Sequence, residues 1–221
     1  MQIIPAINAP DFETAEEQIK TAAEFFSDLP SGALAKEGWI HIDVTDGIFS
    51  PAQIWGNPEE LKKLEIENLK LEIHLMVSNP EGVIDSWLRT KMVKRVIIHL
   101  EAMTDSVYIL EKCRKYGAEA MLAINPGTEA ERLLAHKDDF KYFQLLGVKP
   151  GWAGQKFNEK ILDKIRFIKR NIPNAIIEID GGVNGDNAKD LKEAGADILV
   201  SASYIFKNKD PKKAYETLKN A

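Results

Sequence analysis

The chain reads as a (β/α)8 barrel, and two observations point there. Strand-like and helix-like segments alternate eight times along 221 residues. The polar residues able to carry chemistry fall at the C-terminal ends of strand candidates one, two, three, six, seven and eight. A doubly wound open sheet gathers such residues at one switch point, whereas a barrel sets them around one mouth. The length fits one TIM-barrel domain over residues 1–221, at the compact end of that fold's range.

The strand candidates are "QIIPAIN" (2–8), "GWIHIDV" (38–44), "LKLEIHLMV" (69–77), "VKRVIIHL" (93–100), "EAMLAIN" (119–125), "YFQLLGV" (142–148), "AIIEID" (175–180) and "DILVSAS" (197–203). Several are near-continuous Ile/Val/Leu runs, the pattern of parallel strands roofed by helices. Between them, Asp11 caps a helix whose apolar face is Phe12, Ala15, Ile19, Ala22 and Phe26, spaced by three and four. Asn57-Pro58, Asn79-Pro80 and Asp210-Pro211 each read as an N-cap with proline at the first helical position. Gly117 and Gly195 follow "VYILEKCRKY" and "NAKDLKEA" as C-terminal stops.

Composition narrows the function. Hydrophobic content of 44% and charged content of 29% are ordinary for a soluble globular protein. A net charge of -5 argues against nucleic acid as a partner, though not against a locally bound phosphate. The single Cys113 fits a reducing cytoplasm. "MQIIPAINAPDF" lacks the pattern of a secretory leader, and no apolar run reaches the length of a membrane span. The expectation is a cytoplasmic protein with neither membrane nor nucleic-acid partners.

Three strand ends supply two imidazoles and two carboxylates: His41 and Asp43 in "WIHIDVTDG", His74 in "LEIHLMV" and Asp180 in "IIEIDGGV". Strand alternation points His41 and Asp43 the same way. His41 alone reads equally as a hydrogen-bonded core histidine. Asp43 one strand period away changes that, because a buried carboxylate needs a cation or a hydrogen-bond network. Two N and two O donors suit one divalent cation: zinc, iron(II), manganese or cobalt rather than calcium. The other candidates have plainer readings. Asp46, in "DVTDG", is a loop former. His99 is either a support for a ligand or a satisfied core histidine. His136 lies in a polar surface context, and Cys113 is a packing residue of an amphipathic helix.

Glycine-rich loops follow the last strands: "VKPGWAGQKF" (148–157), "DGGV" (180–183) and "SAS" (201–203). Any one Gly pair is more simply a tight turn. Three such loops at one mouth predict an anion site built from backbone N–H groups, a recurring phosphate device of this fold.

At these residues the chain resembles the ribulose-phosphate 3-epimerase family, nearly end to end. "HIDVTDGIFSP", "HLMVSNP", "NPGT" (125–128), "PGWAGQKF", "EIDGGV" and "AGADILVSASYIF" (194–206) match the family's motifs in order. The resemblance implies a ribulose-phosphate-binding barrel and an isomerase of carbohydrate metabolism, in the pentose phosphate pathway, working as a homo-oligomer. It implies His41, Asp43, His74 and Asp180 as metal ligands. Asp43 and Asp180 are the implied proton-transfer pair, acting at C3 of a ketose phosphate through an enediolate that the metal stabilises. Gly151, Trp152, Ala153, Gly154, Gly181, Gly182, Ala202 and Ser203 are the implied phosphate site, and Met76 is part of the apolar wall.

The resemblance breaks at the substrate-facing shell. The family opens Pro-Ser-Ile-Leu-Ser-Ala-Asp-Phe, whereas this chain has "PAINAPDF". Ala9 thus stands where a substrate-touching serine is expected and Asn8 where a leucine is, with Asn8 expected to face away from Ala9. Thr45 and Leu146 replace two methionines, and Ala202 replaces a glycine. The default substrate is D-ribulose 5-phosphate, converted to D-xylulose 5-phosphate. Competing expectations are a 3-epimerase of a six-carbon ketose phosphate (allulose 6-phosphate type), a sugar-phosphate-acid decarboxylase on the same barrel, and a phosphate-binding barrel that has lost catalysis. The decarboxylase carries a Lys in the motif after strand two, and none flanks Asp43; retention of both aspartates argues against lost catalysis.

Overall fold

A computed structural model describes residues 1–26, 38–64 and 69–221. Eight parallel strands pair in sequence order and close, with the first bonded to the last. They are β1 (Gln2–Ile7), β2 (Gly38–Thr45), β3 (Leu69–Met76), β4 (Val93–His99), β5 (Glu119–Ile124), β6 (Tyr142–Leu146), β7 (Ile176–Asp180) and β8 (Ile198–Ser201). The helices are α1 (Phe12–Glu24), α2 (Pro58–Leu61), α3 (Pro80–Leu88), α4 (Ser106–Tyr116), α5 (Ile161–Asn171), α6 (Ala188–Ala194), α7 (Ser203–Phe206) and α8 (Pro211–Lys219). After β5 a 3-10 helix, Ala130–His136, takes the place of an α-helix.

Side-chain oxygens of Asp11, Asn57, Asn79 and Asp210 accept from the first-turn amides of α1, α2, α3 and α8. Gly117 and Gly195 end α4 and α6 in the left-handed conformation. On α1, Ala15, Ile19 and Ala22 are buried and Phe12 is half-buried, as is Phe26 just past the end of the helix. Most strands stop one or two residues earlier than their apolar runs. β1 ends before Asn8, β6 before Gly147, and β8 before Ala202, which caps α7. The residues released are those that turn the chain across the barrel mouth.

Outward side chains of the strands join the helices in one large apolar cluster, including Ile3, Ile7, Ile40, Ile42, Ile73 and Phe143. The barrel interior is different. Two small apolar groups, Ile4/Ala6/Ile198/Val200 and Ile97/Met121/Ala123, flank a band of polar side chains. That band holds His41, Glu72, Arg95, Gln144 and Glu178, all buried. Arg95 donates to Glu72 Oε2 at 2.7 Å and to Glu119. Its guanidinium lies 4.3 Å from the Trp39 ring centre and 4.4 Å from that of Tyr142, closing the floor of the barrel.

Candidate active site

Register brings the site together. Asp43 is level with His74 across β2 and β3, His41 is level with Glu72, and Leu146 is level with Asp180 across β6 and β7. Alternation then points His41, Asp43, Glu72 and His74 inward. Asp43 Oδ1 lies 3.2 Å from His41 Nε2 and 3.1 Å from His74 Nδ1. Asp180 Oδ2 lies 3.3 Å from His74 Nδ1 and 3.8 Å from His41 Nε2. Each of the four residues thus offers one ligand atom, all within 4.8 Å of one another. Tetrahedral coordination with bonds of about 2.0–2.2 Å puts donors about 3.3–3.6 Å apart. The donor set and its spacing therefore fit a divalent cation with N/O preference.

The electrostatics agree. Burial alone raises the Asp43 carboxyl, but hydrogen bonds to His41 and His74 outweigh it and hold the group well below the ordinary carboxylate range. Burial would lower both imidazoles. Hydrogen bonds to Asp43 and Glu72, with the charge of Asp180, instead hold His41 well above its ordinary value. His74 is raised by Asp180 and Asp43. The carboxylates demand positive charge at this point, supplied by protons on the imidazoles or by a cation.

A cleft opens above the cluster, lined by Asn8, Asp43, Met76, Leu146, Asp180, Val200 and the loops 148–154, 181–183 and 201–203. All eight expected phosphate-site residues border it. Gly151 (φ 117°) packs so tightly that a Cβ would lie 2.2 Å from Ser50 Oγ. Gly182 (φ 74°) leaves no room against the Phe157 backbone. Bare backbone is required at both. Ala202 and Ser203 begin α7 with no side-chain cap on its first amides. Trp152 is exposed at the rim.

Two shell residues fall elsewhere than expected. Asn8 and Ala9 do face opposite ways, but with the phase reversed. Inward alternation along β1 runs Ile4, Ala6 and continues to Asn8 just past its end, so Ala9 packs in the outer apolar cluster and does not border the cleft. Asn8 Nδ2 donates to Asp43 Oδ2 and to the Gly151 carbonyl, each at 2.8 Å. Thr45 is turned away to the loop, donating to the Ala52 carbonyl.

The remaining residues resolve plainly. Asp46 accepts from the amides of Ile48, Phe49 and Ser78 and from the Ser78 hydroxyl, tying the loop after β2 to that after β3. Cys113 is buried in α4, and burial pushes its thiol up to about 12. His136 packs edge-on against Phe140 away from the mouth.

Of a supporting layer around the four, the sequence reading offers only His99, as one of two alternatives, and passes over Glu72, Arg95 and Glu178. Glu72 Oε1 lies 2.8 Å from His41 Nδ1 and is itself held by Arg95. Glu178 sits beside them, hydrogen-bonded to Gln144 Nε2 at 3.0 Å. Burial and the charge of Glu72 hold Glu178 well above the usual range. His99 meets His74, with the two Nε2 atoms 2.9 Å apart. Its Nδ1 lies 3.2 Å from Glu101 Oε2. The signal was available: Glu72 precedes His74 by two and Glu178 precedes Asp180 by two, so alternation places each one level below a ligand.

A family model described as the ribulose-phosphate 3 epimerase family matches residues 2–206. The ribulose-phosphate 3-epimerase of Chlamydia muridarum is 37% identical over 174 residues, 76% of this chain and 76% of that protein. The one from Helicobacter pylori is 31% identical over 225 residues, 100% of this chain and 97% of that protein. Among solved structures, 3-hexulose-6-phosphate synthase from Salmonella typhimurium superposes with a TM-score of 0.70 at 12% identity, over 100% of this chain and 97% of that one. Orotidine 5'-phosphate decarboxylase from Pyrococcus horikoshii OT3 gives 0.65 at 15% identity, over 99% and 98%. At such identities these structures establish the barrel alone. The two epimerases and the family match carry the assignment further, and this chain is an isomerase belonging to the ribulose-phosphate 3-epimerase family.

Proposed function

We propose that the protein epimerises C3 of a ketose phosphate, interconverting D-ribulose 5-phosphate and D-xylulose 5-phosphate, with one divalent cation at His41, Asp43, His74 and Asp180. The observation that carries this reading is the facing pair of carboxylates. Asp43 and Asp180 rise from β2 and β7, with β1 and β8 between them, and converge on the same two imidazoles. A planar enediolate between them would have one carboxylate on each face. One takes the C3 proton, and the other returns a proton from the opposite side, which inverts the centre. A cation at these donors supplies Lewis acidity toward the substrate's oxygens and so makes C3 more acidic.

The other residues bind and orient. The substrate phosphate docks on the backbone of 151–154, 181–182 and 202–203, which sets C3 at the carboxylates. Ala202 keeps an N–H for this role. Met76 and Leu146 border the cleft and shield the reacting carbon from water. From the net charge of -5, the single Cys113 and the family resemblance, we place the enzyme in the cytoplasm as a homo-oligomer with no nucleic-acid partner; light scattering on the purified protein tests the assembly. Among the described residues no helix is long and apolar enough to cross a membrane.

The test is exchange and turnover together. In deuterated water, ribulose 5-phosphate should acquire deuterium at C3 as it epimerises, and a six-carbon ketose phosphate run beside it tests the sugar. Asp43→Asn and Asp180→Asn should each lose more than the roughly 10²–10⁴-fold ascribed to one acid–base group, because each also holds the cation. Turnover near wild type in either variant would end the two-carboxylate mechanism. A phosphate or sulfate bound anywhere but on the three loops would end the docking assignment.

A further inference from the structure

We infer that His99 and Glu101 form a positioning pair that fixes which nitrogen of His74 faces the site. The inference rests on the reading of His74 as a metal ligand.

The geometry assigns the protons one at a time. The Nε2 atoms of His74 and His99 are 2.9 Å apart. The ring planes differ by 20°, and the ring centres are 5.0 Å apart. Closest atoms so much nearer than the centres mean rings meeting edge to edge, the arrangement of an N–H···N hydrogen bond rather than a face-to-face stack. One nitrogen must donate and the other accept. His74 Nδ1 is the atom beside Asp43 Oδ1 and Asp180 Oδ2. It has to present a lone pair there, so the His74 proton belongs on Nε2. His99 Nε2 is then the acceptor, and the His99 proton belongs on Nδ1, where Glu101 Oε2 receives it.

Glu101 is anchored for this task. Its Oε1 accepts from the Asn125 amide at 2.9 Å and from the Thr128 hydroxyl, both just beyond the end of β5. His99 is fully enclosed, with the Phe49 ring centre 4.7 Å from its own. The order therefore runs outward from Glu101 and leaves His74 one tautomer. His41 reaches the same condition by a shorter route: Glu72 accepts a hydrogen bond from its Nδ1–H directly, which leaves Nε2 to face the site. The two imidazoles present different nitrogens because different partners hold their far sides. Such outer partners orient metal-binding histidines and commonly govern 10–100-fold of metal affinity.

Two measurements test the pair. Nitrogen-15 NMR of histidine-labelled, zinc-loaded native protein should show His99 protonated on Nδ1 and His74 on Nε2. The opposite His99 tautomer would overturn the inference. Zinc affinity, measured by chelator competition, should fall about 10–100-fold in Glu101→Leu and His99→Phe. Glu101→Gln keeps an acceptor for the His99 proton, so it should recover most of that loss, which a purely packing role would not predict. Zinc affinity unchanged in Glu101→Leu, with the native protein binding zinc, would sink this pair and leave the metal site standing. A native protein that binds no zinc, manganese, cobalt or iron(II) would remove the metal reading and this inference with it.

Discussion

Asn8 shows how one side chain can join two functions. Its amide nitrogen spends one hydrogen on Asp43 Oδ2 and the other on the Gly151 carbonyl. Asp43 Oδ1 faces the imidazoles, so Asn8 sorts the two oxygens of this carboxylate and ties it to a loop of the proposed phosphate site. Leucine, the residue that the family resemblance implies here, would make neither bond. A hydrogen bond to a charged group contributes about 1.5–3 kcal/mol. Asn8→Leu should therefore lower kcat/KM about ten- to a hundredfold, and an unchanged value would show that the amide plays no part. Ala9 behaves oppositely. Its side chain lies in the apolar shell outside the strands, so Ala9→Ser buries a hydroxyl within an apolar cluster. The expected result is a stability loss of about 1–3 kcal/mol with kcat/KM unaltered. A gain in kcat/KM would return Ala9 to the substrate shell.

At the scale of strands and loops, the sequence was most readable where local chemistry decides the outcome. Asp11, Asn79 and Asp210 cap as expected because a short side-chain oxygen and a following helix suffice. The barrel's order was readable because βα units of parallel strands leave few closures. Strand ends were not, because a run such as "YFQLLGV" stays apolar after its backbone has left the ladder at Leu146. The phase of Asn8 was missed for the same reason. The supporting band of Glu72, Arg95 and Glu178 was overlooked because one charge amid apolar residues looks misplaced until its neighbours across the barrel are known. Two carboxylates that staple loops at the mouth make a prediction at this scale. Burial would raise Asp46, but hydrogen bonds from Ser78, Phe49 and Ile48 bring it to about 2. Burial of Glu101 is likewise outweighed by His99, Thr128 and Asn125, and it also lies at about 2. A carboxyl depressed on folding stabilises the native state fully above its unfolded value near pH 4. That contribution is lost as the pH falls through about 2. Urea unfolding from pH 5 to 2 should show stability declining over this window, and Asp46→Asn should flatten its share of the slope. An identical slope in the variant would mean that the Asp46 staple adds no stability.

For the whole molecule, the metal site and the fold should be one thermodynamic unit. The four donors come from β2, β3 and β7, strands on both sides of the barrel. They adopt ligand spacing only when the barrel is closed, so an unfolded chain offers no comparable site. A cation bound to the folded state alone stabilises it by about 2.7 kcal/mol at a free concentration about a hundred times Kd. For a chain of this size that corresponds to roughly 5–11 °C in Tm. Protein stripped with a chelator should therefore melt lower, and zinc, manganese, cobalt or iron(II) should restore the difference with a dependence on free metal. Calcium, which prefers more and purely oxygen ligands, should restore much less. Asp43→Asn, which removes the negative charge from the group that both imidazoles face, should show a much smaller rise with the same metals. A thermal shift of equal size in native protein and in Asp43→Asn would place the cation elsewhere on the molecule. No shift with any of the four metals would leave His41, Asp43, His74 and Asp180 as a proton-holding cluster, and the chemistry would then have to proceed through the carboxylates alone.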